Sequence, residues 1–109
     1  MTTRRTSVGA AGEVVASRFI ERHGAVILDR NVRVGRDEID LIARIDGHVV
    51  AIEVKTGLGS ETRPWENYDA DKSARIRRAA RALSIRRIDL VAVELTGYGV
   101  AIRWLPGVG

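Results

Sequence analysis

The chain contains no cysteine, which excludes disulfide cross-links and zinc sites built on thiolates and fits a reducing compartment. It has no apolar run near the ~18 residues a membrane helix needs. The apolar stretch after Arg4 and Arg5 is broken by Glu13 and Arg18, which a secretory signal does not tolerate, so a soluble cytoplasmic protein without membrane association is expected. A phosphate-cradling glycine loop is also missing: Gly57-Leu58-Gly59 lacks the further glycine and the lysine such loops require. His23 and His48 have no serine, cysteine or second histidine at catalytic spacing, so neither carries a nucleophile-and-base reading. Lysine is scarce, with Lys55 and Lys72 the two examples and the other sixteen basic residues arginine. Where nearly every cation has become arginine, two retained lysines suggest sites that need a compact ammonium in place of a planar guanidinium.

What is present fits one domain: 109 residues, 45% of them hydrophobic, suffice for a single core. The formal charge is +4 and the isoelectric point about 10.3, which points to an anionic partner, nucleic acid first among them. That charge is polarised. Lys72, Arg75, Arg77, Arg78, Arg81, Arg86 and Arg87 crowd one segment, and the acids Asp37, Glu38 and Asp40 crowd another. A solubilising arginine face would read the same way.

Along the chain, Val8, Ala11, Val15 and Phe19, joined by Ala16 and Ile20, recur at helical spacing up to about Arg22, with Gly24 as the stop. Residues 25–34, 37–45 and 48–55 read as three strands. Residues 56–71 hold Gly57, Gly59 and Pro64 without periodicity and read as a long loop containing Trp65 and Tyr68. Helical spacing returns over 70–84 through Ile76, Ala79, Ala80 and Leu83, followed by strands over 87–95 and 98–105 joined at Thr96-Gly97. The order is αβββαββ. Residues 1–7 and 106–109 are expected to fray, leaving one domain over 8–105.

Asp46-Gly47 between two alternating runs is a strong signal for a type I′ hairpin, which needs positive φ at both central residues. Ile45 then faces His48, and counting back places Asp40 opposite Glu53 and Glu38 opposite Lys55. Alternation puts Ile39, Leu41, Ala43 and Ile45 on one face with His48, Val50, Ile52 and Val54, and gathers Glu38, Asp40, Glu53 and Lys55 on the other. Asp40 and Glu53 would form a non-hydrogen-bonded pair, with Cβ atoms ~4.5–5.5 Å apart and like charges repelling. Lys55 could compensate, but a hard divalent cation shared by both carboxylates does so better. Glu13 shares a helix face with Gly9, Ala16 and Ile20 and is a third acid in reach, since burial there needs a partner. Glu38 with Lys55 also reads as an ordinary surface ion pair, and Glu13 as an exposed acid.

The residues Gly12-Glu13, Arg30-Asn31, Glu38-Ile39-Asp40-Leu41-Ile42-Ala43, Glu53-Val54-Lys55-Thr56 and Lys72 resemble the YraN family of small bacterial proteins over nearly the whole chain. That family is similar in fold to archaeal Holliday junction resolvases and other PD-(D/E)XK nucleases. The resemblance implies a restriction-endonuclease-like α/β fold, a mixed central sheet flanked by helices. It further implies Mg²⁺ or Mn²⁺ held by Asp40 and Glu53, with Glu13 completing the acidic site and Lys55 acting on the attacking water. The Val54 carbonyl is a further expected metal ligand. Lys72, Arg75, Arg78 and Arg81 are expected to hold phosphates of DNA without reading bases. The expected activity is metal-dependent phosphodiester cleavage, selective for nucleic-acid structure. Junction-resolving relatives act as dimers, which allows a homodimer. The competing reading is a non-catalytic nucleic-acid-binding module that keeps the nuclease fold. An adaptor using the Trp65 and Tyr68 loop fits the small size but ignores the acids.

Overall fold

The computed structural model describes residues 4–59 and 70–108, with side chains from residue 8 onward and again from residue 73. Helix α1 (Arg4–Arg22) leads into strands β1 (Val26–Val34), β2 (Asp37–Ile45) and β3 (His48–Leu58), then helix α2 (Ala70–Ala82) and strands β4 (Arg87–Thr96) and β5 (Gly99–Leu105). The five strands form one sheet in sequence order. β1, β2 and β3 pair antiparallel, β3 and β4 parallel, and β4 and β5 antiparallel. The expected element order and mixed sheet are therefore present. The Trp65 and Tyr68 loop lies outside the described residues. Among the described residues no helix is long and apolar enough to cross a membrane.

The parallel step has a physical consequence. Parallel neighbours need a crossover, here through α2, and the crossover helix covers the sheet face opposite α1. Ala16 and Ile20 of α1 pack with Leu41, Val50, Ile52 and Val91 on one side. On the other, Ile76, Ala79 and Ala80 of α2 pack with Ile39, Ile42, Ala51 and Ile88. Both faces of the β2–β3 hairpin are thus core over most of its length, which corrects the expectation of one apolar and one acidic face. Ile39 sits in the α2-side cluster and Leu41 in the α1-side cluster, so alternation breaks between them. Across β1 from that break stands Asn31 at φ 51°, a left-handed residue that disrupts regular pleating.

On α1 the buried spine is Gly12, Ala16 and Ile20, with Ser17 beside it, while Ala11 of the expected stripe is exposed. Gly12 is required there: a Cβ at that position would overlap the Thr56 side chain on β3. The missing methyl lets the helix backbone rest on the strand, and it places the next residue, Glu13, at the sheet. The Asp46-Gly47 turn has φ 50° and 80° and Ile45 pairs with His48, as the type I′ reading requires.

Candidate active site

The β2–β3 ladder runs from Ile45↔His48 back to Leu41↔Ile52. Continued by one step it brings Asp40 across from Glu53, on the register the turn dictates. Beyond that point the backbone pairing gives way to a side chain, for the Val54 N–H donates to Asp40 Oδ2 at 2.8 Å. In a regular ladder that N–H would meet the Ile39 carbonyl. Asp40 therefore takes the place of a backbone acceptor, and the two strands part just where their acids begin. N–H and C=O of one strand residue point to the same side, so the Val54 carbonyl opens into the same gap.

Asp40, Glu53 and Lys55 line a cleft of about 270 Å³ together with Arg36, Glu38 and Arg75. At ~30 Å³ per water, that is room for a phosphate and several waters. Lys55 Nζ lies 3.5 Å from Glu53 Oε1, both side chains about one-fifth exposed. The alternative reading of Glu38 and Lys55 as a surface ion pair does not hold: Lys55 turns to Glu53, and Glu38 lies 3.9 Å from Arg33. Glu38 also borders a second groove, shared with Glu13, Arg30 and Asn31. Glu38 thus borders both the cleft and the groove that holds Glu13.

Electrostatics mark the same residues. Burial first, then the facing Glu53 charge, push the Asp40 carboxyl up to about 7, against the opposing pull of the Val54 N–H. Burial, then Asp40 and Glu38, push Glu13 up to about 7. Among the described residues no three carboxylates or imidazoles converge as a ready-made metal cage.

The α2 arginines are spread over different parts of the surface. Arg75 lines the acidic cleft. Arg78 grips Asp37 in a fork, with both nitrogens 2.9 Å from the carboxylate oxygens, and this pair holds the Asp37 carboxyl below its ordinary range. Arg81 lies at a separate groove with Arg77 and Arg86. The Lys72 side chain is outside the described residues.

Two polar residues escaped the sequence reading. Asp89 is fully buried and accepts from Arg87 Nε and Nη2 at 2.9 and 2.8 Å, from Trp104 Nε1 at 2.8 Å and from the Gly107 N–H at 3.0 Å. The Val108 N–H adds a bond to the Ile88 carbonyl at 2.8 Å, so residues 107 and 108, expected to fray, are tied to β4. The available signal was an aspartate inside an apolar strand with an arginine two residues before it. Arg36 at the cleft is the second.

With this geometry in view, the comparisons with known proteins decide the family. Residues 12–93 match the model of the uncharacterised protein family UPF0102. The chain belongs to that family, the YraN-like proteins. A UPF0102 protein of Syntrophotalea carbinolica is 37% identical, covering 98% of this chain and 94% of the relative. One from Beutenbergia cavernae is 40% identical over 96% and 98%. The UPF0102 match spans every residue of the acidic site, from Glu13 to Lys55. Among solved structures, the archaeal protein SSO0001 superposes with a TM-score of 0.53 at 17% identity, over 95% of this chain and 53% of the other. The chain thus spans about half the length of that protein, and the likeness concerns fold alone.

Proposed function

We propose that this UPF0102 protein is a metal-dependent nuclease of the PD-(D/E)XK type, cutting phosphodiester bonds at the cleft between the parted ends of β2 and β3. The observation that carries the reading is Asp40 facing Glu53, a half-buried pair of like charges with the Lys55 ammonium beside it. Such a pair is unfavourable for stability alone. It suits a hard cation, because oxygen donors are the only ligands it offers.

Asp40, Glu53 and the Val54 carbonyl would hold Mg²⁺ or Mn²⁺, with Glu13 adjoining. One or two carboxylates with the remaining positions left to water and phosphate oxygens is the usual protein share of a Mg²⁺ site. When bound, the ion supplies Lewis-acid polarisation of the phosphate and a lowered pKa for a bound water. Lys55 would orient the attacking water and stabilise charge developing on the phosphate. Arg75 and Arg36, at the cleft, would hold the flanking phosphates without reading bases. The preferred substrate is then DNA distinguished by shape.

The test is a cleavage screen with Mg²⁺ and Mn²⁺ on branched, flapped, single-stranded and duplex DNA. Metal-dependent cutting that Asp40→Asn, Glu53→Gln and Lys55→Ala each reduce by more than about a hundredfold is expected, the scale of losing a directly acting group. Metal binding without cleavage of any DNA or RNA would favour a nucleic-acid-binding module on the same fold.

A further inference from the structure

Asn31 lies in β1 at φ 51°, a left-handed conformation that asparagine tolerates better than most residues. The flanking pairs Arg30↔Leu41 and Val32↔Ile39 put it across from Asp40. Its neighbours orient the amide, since only with the nitrogen toward the acids are donor and acceptors matched. In that orientation the nitrogen donates to Glu13 Oε1 at 2.8 Å and to Glu38 Oε1 at 3.1 Å. The two carboxylate oxygens therefore lie less than about 6 Å apart, one on α1 and the other on β2. Left alone, those charges would push the helix and the strand apart. A neutral donor shared between them lowers that cost and joins three elements at one atom. The choice of amide matters chemically. Arginine or lysine there would neutralise the acids permanently and compete with a cation, and aspartate would add a charge.

We propose that Asn31 is a positioning residue: it clamps Glu13 to Glu38 and so holds the helix carboxylate at the acidic site beside Asp40. Gly12 complements it, seating the helix on Thr56 one residue earlier. The functional half of the proposal rests on reading the site as cation-binding and nucleolytic. The clamp itself does not.

The experiment therefore has two readouts on the full chain. In the first, the Asn31 side-chain amide resonances are followed by nitrogen-15 NMR without metal in the parent, Glu13→Gln and Glu38→Gln proteins. Both substitutions should shift them, and resonances indifferent to both would overturn the clamp. In the second, Asn31→Gly, which keeps the positive φ, and Asn31→Asp, which replaces the donor by an acceptor, are assayed for Mn²⁺ affinity and cleavage. Each should lose about 10–100-fold, the scale of losing an outer hydrogen-bonding partner around a metal site. The Asn31→Gly loss should largely vanish in a Glu13→Gln background. A loss of equal size in that background would overturn the role through Glu13. Shifted resonances in a parent that neither binds Mn²⁺ nor cuts nucleic acid would leave the clamp standing and remove the nuclease reading.

Discussion

Asp89 and Asp40 are two aspartates withdrawn from solvent, and their surroundings are opposite. Asp89, fully buried, meets the Arg87 fork, the Trp104 indole and a backbone N–H, so its charge and lone pairs are satisfied by the fold itself. Asp40 receives the Val54 N–H and faces Glu53, and its carboxyl is pushed up to about 7. A buried carboxylate with internal partners is part of the scaffold, whereas one set against a like charge is a candidate functional group. The two sit on adjoining parts of the same sheet, one holding the chain's end and the other bordering an open cleft.

The largest effect should come from breaking the satisfied site. Asp89→Ala strands the Arg87 guanidinium and the Trp104 N–H, and a loss of about 3–5 kcal/mol is expected in urea unfolding. Asp40→Asn should do the reverse. The amide oxygen can still accept from Val54 while the repulsion with Glu53 disappears, so without metal its melting temperature should equal or exceed the parent's.

A second contrast is steric. Gly12→Ala drives a methyl into Thr56 and should cost about 1–3 kcal/mol as an overpacking change. Thr56→Ala in the same protein should recover part of that, whereas Gly9→Ala, with open space around it, should cost little.

The pH dependence follows from the raised carboxyls. A group whose folded pKa exceeds its unfolded value adds stability fully present below the unfolded value and lost as pH rises through the folded one. For Asp40 and Glu13, stability should fall from about pH 4 toward pH 7 and then level. Metal-free thermal unfolding between pH 5 and 8 should show the decline, at ~4–8 °C per kcal/mol, and Asp40→Asn should flatten it.

The smallest effects concern DNA affinity. Arg75→Ala should weaken binding several-fold and reduce its salt dependence. Arg81→Ala, in another groove, should do less, and Arg78→Ala should chiefly release Asp37. Equal losses at all three in a fluorescence titration would show that Arg75, Arg78 and Arg81 share the phosphate contacts, as expected from the sequence.

What could be read in advance was local or register-bound. Asp46-Gly47 carried the turn, the turn carried the pairing back to Leu41↔Ile52, and that pairing aimed Asp40 at Glu53. The same counting failed beyond Asp40, because the ladder ends where a side chain outcompetes a carbonyl for the Val54 N–H, a choice that alternation does not encode. The Asn31 amide on Glu13, the seat of Gly12 on Thr56, the Arg78–Asp37 fork and the Asp89 network join residues apart in the chain. Each is a tertiary fit with no periodic trace. The arginine cluster was legible only as composition, which reports how many charges a helix carries but not which of them the fold has already paired.

The central claim is that the Asp40–Glu53 pair is arranged for a cation rather than for stability. Thermal unfolding of the parent and Asp40→Asn, each with and without Mg²⁺, tests it most directly. Ligand that binds only the folded state raises the melting temperature, so Mg²⁺ should stabilise the parent and stabilise Asp40→Asn distinctly less, with the variant at least as stable as the parent when metal is absent. An Asp40→Asn protein that unfolds, beside a parent indifferent to Mg²⁺, would make the acids structural and contradict the claim.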